Sequence, residues 1–273
     1  MADIEDLVIN TITNAPLSLE AAVSLYARQG VRSITPWFDK VEDVGLNQAK
    51  KLINDAGLGV SAMCLAGLFS NEGASARSQA IEQSRRRLDM AAELGAEVMV
   101  TVSGGLFPDS RDLAAASDFN FDAMAELLEH ARSVGVILGL EALHPMYCPD
   151  WSVITRLSTA NDWCDRLGDG MGVIVDAYHT WWDPDLRAEI IRAGKAGRLV
   201  AYHVNDWRVP TRDILNDRAL MGDGVIDLPM LTSIMREAGY SGKIEVEIFS
   251  DEWWEKDPDL YVSAIKDRFA TAV

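Results

Sequence analysis

The 273 residues are 48% hydrophobic and carry a formal net charge of −17, enough apolar material for one large core and no basic excess for a polyanion. Nucleic acid and anionic membrane surfaces are therefore not expected partners, whereas a small neutral substrate is compatible with this charge. The acidic start, Met1-Ala2-Asp3-Ile4-Glu5-Asp6, lacks the build of a signal peptide, no run nears the ~20 apolar residues of a membrane span, and Cys64, Cys148 and Cys164 form no Cys-x-x-Cys pair. The expectation is a soluble, cytoplasmic chain with free thiols.

Leu7 to Thr11 reads as a first strand, and Ser18 as the cap of a helix, Leu19 to Arg28, stopped by Gly30. Val31 to Ile34 is a second strand, followed by a helix from Asp43 to Ala56. Gly59 to Leu65 is a third strand, and a long helix runs from about Ser75 to Leu94. Strand four spans Glu97 to Val102, with a helix from Phe119 to Val134 behind it. Strand five is Val136 to Leu140, and its helix covers Ser152 to Leu167. Strand six, Gly172 to Asp176, precedes a short helix, Asp185 to Ala193. Strand seven, Leu199 to Val204, leads into a long loop, 205–228, and a helix from Pro229 to Ala238. Strand eight is Lys243 to Ile248, and a helix from Pro258 to Thr271 closes the series. Eight alternating units of this kind call for a parallel sheet covered by helices, closed as a (β/α)8 TIM barrel. No composition shift marks a linker, so residues 1–273 are read as a single α/β barrel domain.

In a parallel barrel all strand C-termini share one rim. Glu141, Asp176, His203 and Glu247 fall at the ends of strands five to eight, which are neighbours on that rim. Any one strand-end carboxylate is ordinarily a helix cap or an ion-pair partner; four ligand-type residues at successive strand ends form a metal-site pattern. Three crowded carboxylates would repel, and a divalent cation relieves that. Mixed carboxylate and imidazole ligands suit Mn²⁺ first, with Co²⁺, Mg²⁺, Zn²⁺ and Fe²⁺ also open.

Five motifs make the pattern specific: Leu140-Glu141-Ala142-Leu143-His144-Pro145, Val175-Asp176-Ala177-Tyr178-His179, Tyr202-His203-Val204-Asn205-Asp206-Trp207-Arg208, Met221-Gly222-Asp223-Gly224 and Glu245-Val246-Glu247. With them the chain resembles the xylose isomerase-like barrel superfamily, in its sugar phosphate isomerase/epimerase branch. The resemblance implies one divalent metal on Glu141, Asp176, His203 and Glu247, and His179 and Arg208 facing the substrate. It also implies two glutamates, Glu141 and Glu247, that exchange protons with carbons next to the substrate carbonyl. Oligomers are common in this family, so a homo-oligomer is expected.

His144 is either a third acid or base beside the metal or a loop histidine bonded to backbone. His179 is a substrate contact or a partner of the ligand Asp176. Arg208 neutralises a substrate oxygen or pairs with Asp206. Trp37, Tyr147, Trp151, Trp181, Trp182 and Trp207 follow strands and are expected around the rim, with Trp37 and Trp181 as substrate contacts. No Lys/Arg cluster marks a phosphate site. The expected activity is thus a metal-dependent isomerase or epimerase of a keto sugar or related carbohydrate, working by proton abstraction next to a carbonyl through an enediolate. A lyase of oxidised C-glycosides, with a small partner subunit, is the alternative, because the loop around His144 and Trp151 resembles the large subunit of C-glycoside deglycosidases. An endonuclease IV-like repair enzyme is the remote one: it would need further histidines where Trp37, Cys64 and Ser103 stand.

Overall fold

The computed structural model describes residues 2–273. Its strands are β1 (Leu7–Asn10), β2 (Ser33–Thr35), β3 (Gly59–Val60), β4 (Ala62–Gly67), β5 (Val98–Val102), β6 (Ile137–Glu141), β7 (Met171–Asp176), β8 (Leu199–Val204), β9 (Asp206–Trp207), β10 (Arg218–Ala219) and β11 (Ile244–Val246). Nine of them form one sheet in the order β3-β2-β1-β11-β8-β7-β6-β5-β4, every pairing parallel. β3 and β4 are separated only by Ser61, so the order begins and ends in one stretch of chain and the sheet closes on itself. A parallel bridge from Trp37 to Cys64 and the bond from Ser61 N–H to the Ile34 carbonyl, 3.0 Å, complete the seam. The barrel anticipated from the sequence is thus present, with its third strand in two pieces.

Strand residues are buried on both faces, as a sheet wrapped by helices requires. Side-chain caps fix where helices begin. The Ser18 hydroxyl accepts from Ala21 N–H at 3.2 Å, and the Asp227 and Asp257 carboxylates accept from Met230 and Leu260 N–H, each at 3.0 Å. The expected helix Asp43 to Ala56 is two helices, Phe38–Val44 and Leu46–Asp55, because Gly45 breaks the turn at φ +81°. The helix expected from Phe119 starts six residues earlier, at Leu113, where Asp112 caps it. The helix expected from Ser152 starts at Leu157. The loop 205–228 contains an unforeseen antiparallel ribbon, β9 with β10. Among the described residues no helix is long and apolar enough to cross a membrane, and all three cysteines are free.

Close strand packing depends on two glycines. A Cβ on Gly172 would lie 2.3 Å from Val200 Cγ1. A Cβ on Gly67, which also sits at φ +108°, would lie 1.7 Å from the Val102 carbonyl oxygen. The second clash is with backbone of the neighbouring strand and cannot be relieved by a rotamer change. Gly67→Ala is expected to lose at least about 3 kcal/mol in urea denaturation, from strain and overpacking together. A loss under about 1 kcal/mol would show that β4 and β5 can separate without cost.

Candidate active site

β6, β7, β8 and β11 are consecutive in the barrel wall. Glu141 and Asp176 end β6 and β7, His203 is the penultimate residue of β8, and Glu247 follows β11. One ligand atom from each lies within 4.8 Å of the others. All four are at most 5% exposed. His203 Nδ1 is 3.0 Å from Glu141 Oε1. The Tyr178 N–H donates to Asp176 Oδ1 at 2.6 Å, so this carboxylate caps the short helix Ala177–Thr180 while its other oxygen faces the cluster. The sequence pattern therefore brings its four ligand candidates together.

The group that answers these carboxylates was not foreseen. Arg218, 3% exposed, enters from β10 and reaches Glu247 Oε2 at 3.1 Å and Asp176 Oδ2 at 3.5 Å. Its guanidinium packs over the Tyr178 and Phe249 rings, 4.6 and 4.7 Å from their centroids. The anticipated arginine, Arg208, instead approaches Asp217 at 3.0 Å and Glu252 at 3.3 Å, outside the set of side chains that line the cavity. It also leaves Asp206 unpaired with it. That carboxylate accepts the N–H groups of Gly222, Gly224 and Ile226 at 2.9–3.0 Å, clamping the glycine turn. A run of arginines at 208, 212 and 218 looks alike in sequence; which of them turns inward is decided by the register of the β9–β10 ribbon.

A second unforeseen group lies beneath the cluster. Glu245 points inward beside His203, with its Oε2 3.8 Å from His203 Nε2. Asn10 Nδ2 donates to Glu245 Oε1 at 2.8 Å and to Glu247 Oε1 at 3.1 Å, and it lies 3.4 Å from Cys64 Sγ. Thr35 Oγ1 donates to Glu245 Oε2 at 2.5 Å. Trp37 Nε1 donates to Asn10 Oδ1 at 2.8 Å, which fixes the amide's orientation. Glu245 shows in the sequence only as the first glutamate of a strand-end Glu-Val-Glu.

Burial and charge shape the titrations. Burial lifts Glu141 to about 7, partly offset by His203. Burial alone would lower His203, but Glu245 and Glu141 outweigh it and lift it to about 10. Burial also raises Asp176 despite Arg218. His179 is pushed well below its usual value, by burial first and then by Arg218, so its ring is neutral. Its Nδ1 lies 3.2 Å from the His144 N–H and its Nε2 lies 3.3 Å from Arg218 Nη2. A neutral ring carries one N–H, so only one of these contacts is a full hydrogen bond.

The cavity above the cluster is lined by Glu141, His179, Arg218 and Glu247 on its polar side, with Trp37, Tyr147 and Trp151 among its aromatic residues. His144 is not among the lining side chains. Its Nδ1 accepts from Met146 N–H at 3.3 Å, and its ring packs against Trp182 and Trp207 at 5.7 and 5.0 Å. Trp181 packs on Trp207 at 5.8 Å, also outside the lining. Of the sequence candidates, His179 and Trp37 face the cavity; His144, Arg208 and Trp181 do not.

The four-residue cluster fits a divalent cation. Opposed ligands around such an ion, at bonds of about 2.0–2.4 Å, are roughly 4–4.8 Å apart, and the four ligand atoms here fall within that limit. Four carboxylates, Glu141, Asp176, Glu245 and Glu247, face one permanent cation, Arg218, and one titratable one, His203. The deficit is met either by protons, hence the raised Glu141 and Asp176, or by a doubly charged ion. The His203 Nε2 atom is buried without a hydrogen-bond partner.

Comparison with known proteins gives a consistent picture. The family described as xylose isomerase-like TIM barrel matches residues 23–268. Inosose isomerase of Halalkalibacterium halodurans is 25% identical over 155 residues, 56% of this chain and 53% of that enzyme, so the match spans about half of its length. L-ribulose-5-phosphate 3-epimerase UlaE of Escherichia coli is 24% identical over 234 residues, 82% of this chain and 77% of the enzyme. Among solved structures, protein SMc04130 of Sinorhizobium meliloti 1021 superposes with a TM-score of 0.96 at 42% identity, covering 99% of both chains. The IolI protein, solved with a zinc atom, has a TM-score of 0.85 at 20% identity, covering 98% of this chain and 97% of its own.

Asn10 supplies a donor to two buried carboxylates at once. Asn10→Ala is expected to cost about 1–3 kcal/mol in urea denaturation, since Glu245 and Glu247 each lose a partner. A change under about 0.5 kcal/mol would mean that water or protons replace the amide freely.

Proposed function

Because the chain belongs to the xylose isomerase-like TIM barrel family, we propose that it is a divalent-metal-dependent isomerase or epimerase of a keto sugar or related polyhydroxy ketone. The observation that carries this reading is the buried set of Glu141, Asp176, His203 and Glu247 with two of its glutamates lining one cavity. The names of the curated relatives, an inosose isomerase and a ribulose phosphate epimerase, support the reaction class. Mn²⁺ remains the first choice of ion for a donor set of three carboxylates and one imidazole, although the IolI protein holds zinc.

An ion held there would polarise a substrate carbonyl and lower the cost of the negative charge that develops as the neighbouring carbon loses its proton. The protein's own residues do the rest. Glu141 and Glu247 stand on strands separated by two others in the barrel wall, so their carboxylates approach a ligand from different sides. One removes a proton from carbon, and the other, or the same one, returns it. Arg218 lies beside Glu247 and lines the cavity, where its guanidinium donates to substrate oxygen. The neutral His179 supplies a further polar edge. Arg218 is the only Lys or Arg among the described lining residues and already pairs with two carboxylates, which favours an unphosphorylated substrate. The lyase reading leaned on the loop from His144 to Trp151, on Tyr147 and on the Trp181-Trp182 pair; of these Tyr147 and Trp151 line the cavity, whereas His144, Trp181 and Trp182 do not.

The test is solvent deuterium exchange into a panel of ketoses by protein loaded with Mn²⁺, Co²⁺, Mg²⁺ or Zn²⁺. Wild type should exchange the proton next to the carbonyl only when loaded, and a chelator should remove the activity. Glu247→Gln should lower the rate by about 10²–10⁴-fold. His144→Ala, by contrast, should stay within about 10-fold of wild type, since its ring is held by Met146 and two indoles. Absence of exchange with every ketose in every metal form would end the proposal.

Metal binding also has a readout that needs no substrate. Saturating Mn²⁺ at about 100 times its Kd should stabilise the fold by about 2.7 kcal/mol, raising the melting temperature by several degrees. Asp176→Asn should lose most of that increment. An equal increment in both proteins would place the ion elsewhere.

A further inference from the structure

The rim of the barrel divides into two arcs. β6, β7, β8 and β11 carry the acidic cluster. β4 and β5, on the remaining arc of the ring, send apolar side chains into the same cavity. Leu65 comes from β4, and Val100 and Val102 come from β5. Leu143 follows β6, Leu215 comes from the loop before β10, and Phe249 follows β11. The charge is gathered on the first arc; β4 and β5 present hydrocarbon, to which Leu143 and Phe249 of the first arc add.

The few other polar side-chain atoms of the lining are already engaged. The Tyr147 hydroxyl donates to the Ile214 carbonyl. Trp37 Nε1 donates to Asn10 Oδ1 at 2.8 Å, and Cys64 Sγ lies 3.4 Å from Asn10 Nδ2. That leaves the Trp151 indole N–H to serve at most one distal oxygen. A fully hydroxylated ketose whose carbonyl meets Glu141, Glu247 and Arg218 must press its far hydroxyls against this wall, where they lose water and gain no partner.

Resting on the function proposed above, we infer that the substrate is amphipathic: a polyhydroxy ketone whose far end is a methyl group, that is, a deoxy ketose, and not one ending in a hydroxymethyl group. The carbonyl and its adjacent hydroxyl occupy the acidic arc. The terminal methyl packs against Leu65, Val100 and Val102, where burying it is favourable. The wall thereby selects among substrates that the reacting groups cannot distinguish, because the differing atom is remote from the carbonyl.

The experiment compares 2-ketohexoses with their 6-deoxy counterparts of the same configuration, using Mn²⁺-loaded wild type. Both kcat/KM for deuterium exchange and calorimetric Kd are measured for each pair. The 6-deoxy member is expected to lead by about 10–100-fold, the range in which an apolar pocket discriminates. Val100→Thr, which keeps the volume and adds a hydroxyl to the wall, should narrow that lead. Equal or better use of the hydroxymethyl member overturns the inference while leaving the isomerase reading intact. If no ketose is turned over, the binding ratios decide the inference by themselves, and binding of neither member overturns it together with the proposed function.

Discussion

Four carboxylates within one barrel mouth, each at most 5% exposed, set the terms for the rest of this structure. Taking an ionised carboxylate out of water costs several kcal/mol unless charge or hydrogen bonds are returned to it. Here the return comes from three directions. Arg218 answers Asp176 and Glu247 from above, Asn10 answers Glu245 and Glu247 from within, and His203 stands between Glu141 and Glu245. Each of these donors is itself held. Trp37 and the Ile12 N–H fix the Asn10 oxygen, Arg218 packs over two aromatic rings, and strand register places His203 opposite Asp176 and Glu245. The cluster remains short of positive charge even so, and that deficit is the physical argument for a cation.

The loop between β8 and the helix Leu228–Glu237 serves this electrostatic problem. It folds back as the β9–β10 ribbon so that Arg218, fifteen residues beyond His203, re-enters the site from above. Asp206 anchors the ribbon's far side by accepting the backbone N–H groups of Gly222, Gly224 and Ile226 in the glycine turn. A Cβ at Gly224 would lie 2.4 Å from Asp206 Oδ1, so the turn closes only on glycine. Arg208 and Arg212, sharing Asp217 and Glu252, hold the loop's outer strap. The aromatic residues divide similarly: Trp37 and Trp151 face the cavity, while Trp182 and Trp207 enclose His144.

The barrel and the four-residue cluster were legible in the sequence because both follow from periodicity. Apolar runs recur at a steady spacing, and parallel pairing puts every run's last residue on one rim. Glu141, Asp176 and His203 could be read that way because each terminates an apolar run. Arg218 could not, because nothing local distinguishes it from Arg208 and Arg212. Its role depends on a two-residue antiparallel pairing with Trp207 that carries no periodic signal. Glu245 was hidden for the opposite reason. It sits inside its strand, where alternation predicts only that a side chain points in, and a charge there acquires meaning only once its neighbours across the barrel are known. Asn10 ends β1, but its neutral amide carries no ligand signal of its own. His144 looked chemical because it followed a ligand by three residues, yet the turn at Pro145 directs its Nδ1 onto the Met146 N–H.

The two glutamates that line the cavity are not equivalent, and the difference bears on how one residue can serve as both ligand and proton carrier. Glu247 is held through both oxygens, Oε1 by Asn10 and Oε2 by Arg218. Glu247 is therefore the better fixed of the two. Glu141 has a single side-chain partner, His203, through Oε1. Without a cation its burial lifts it to about 7. On the proposed function Glu247 is the carboxylate whose orientation its two donors fix, whereas Glu141 can reorient on its single partner. A substrate held between them meets one carboxylate oriented by its neighbours and another tuned by its surroundings, and the barrel supplies both by placing them on different strands.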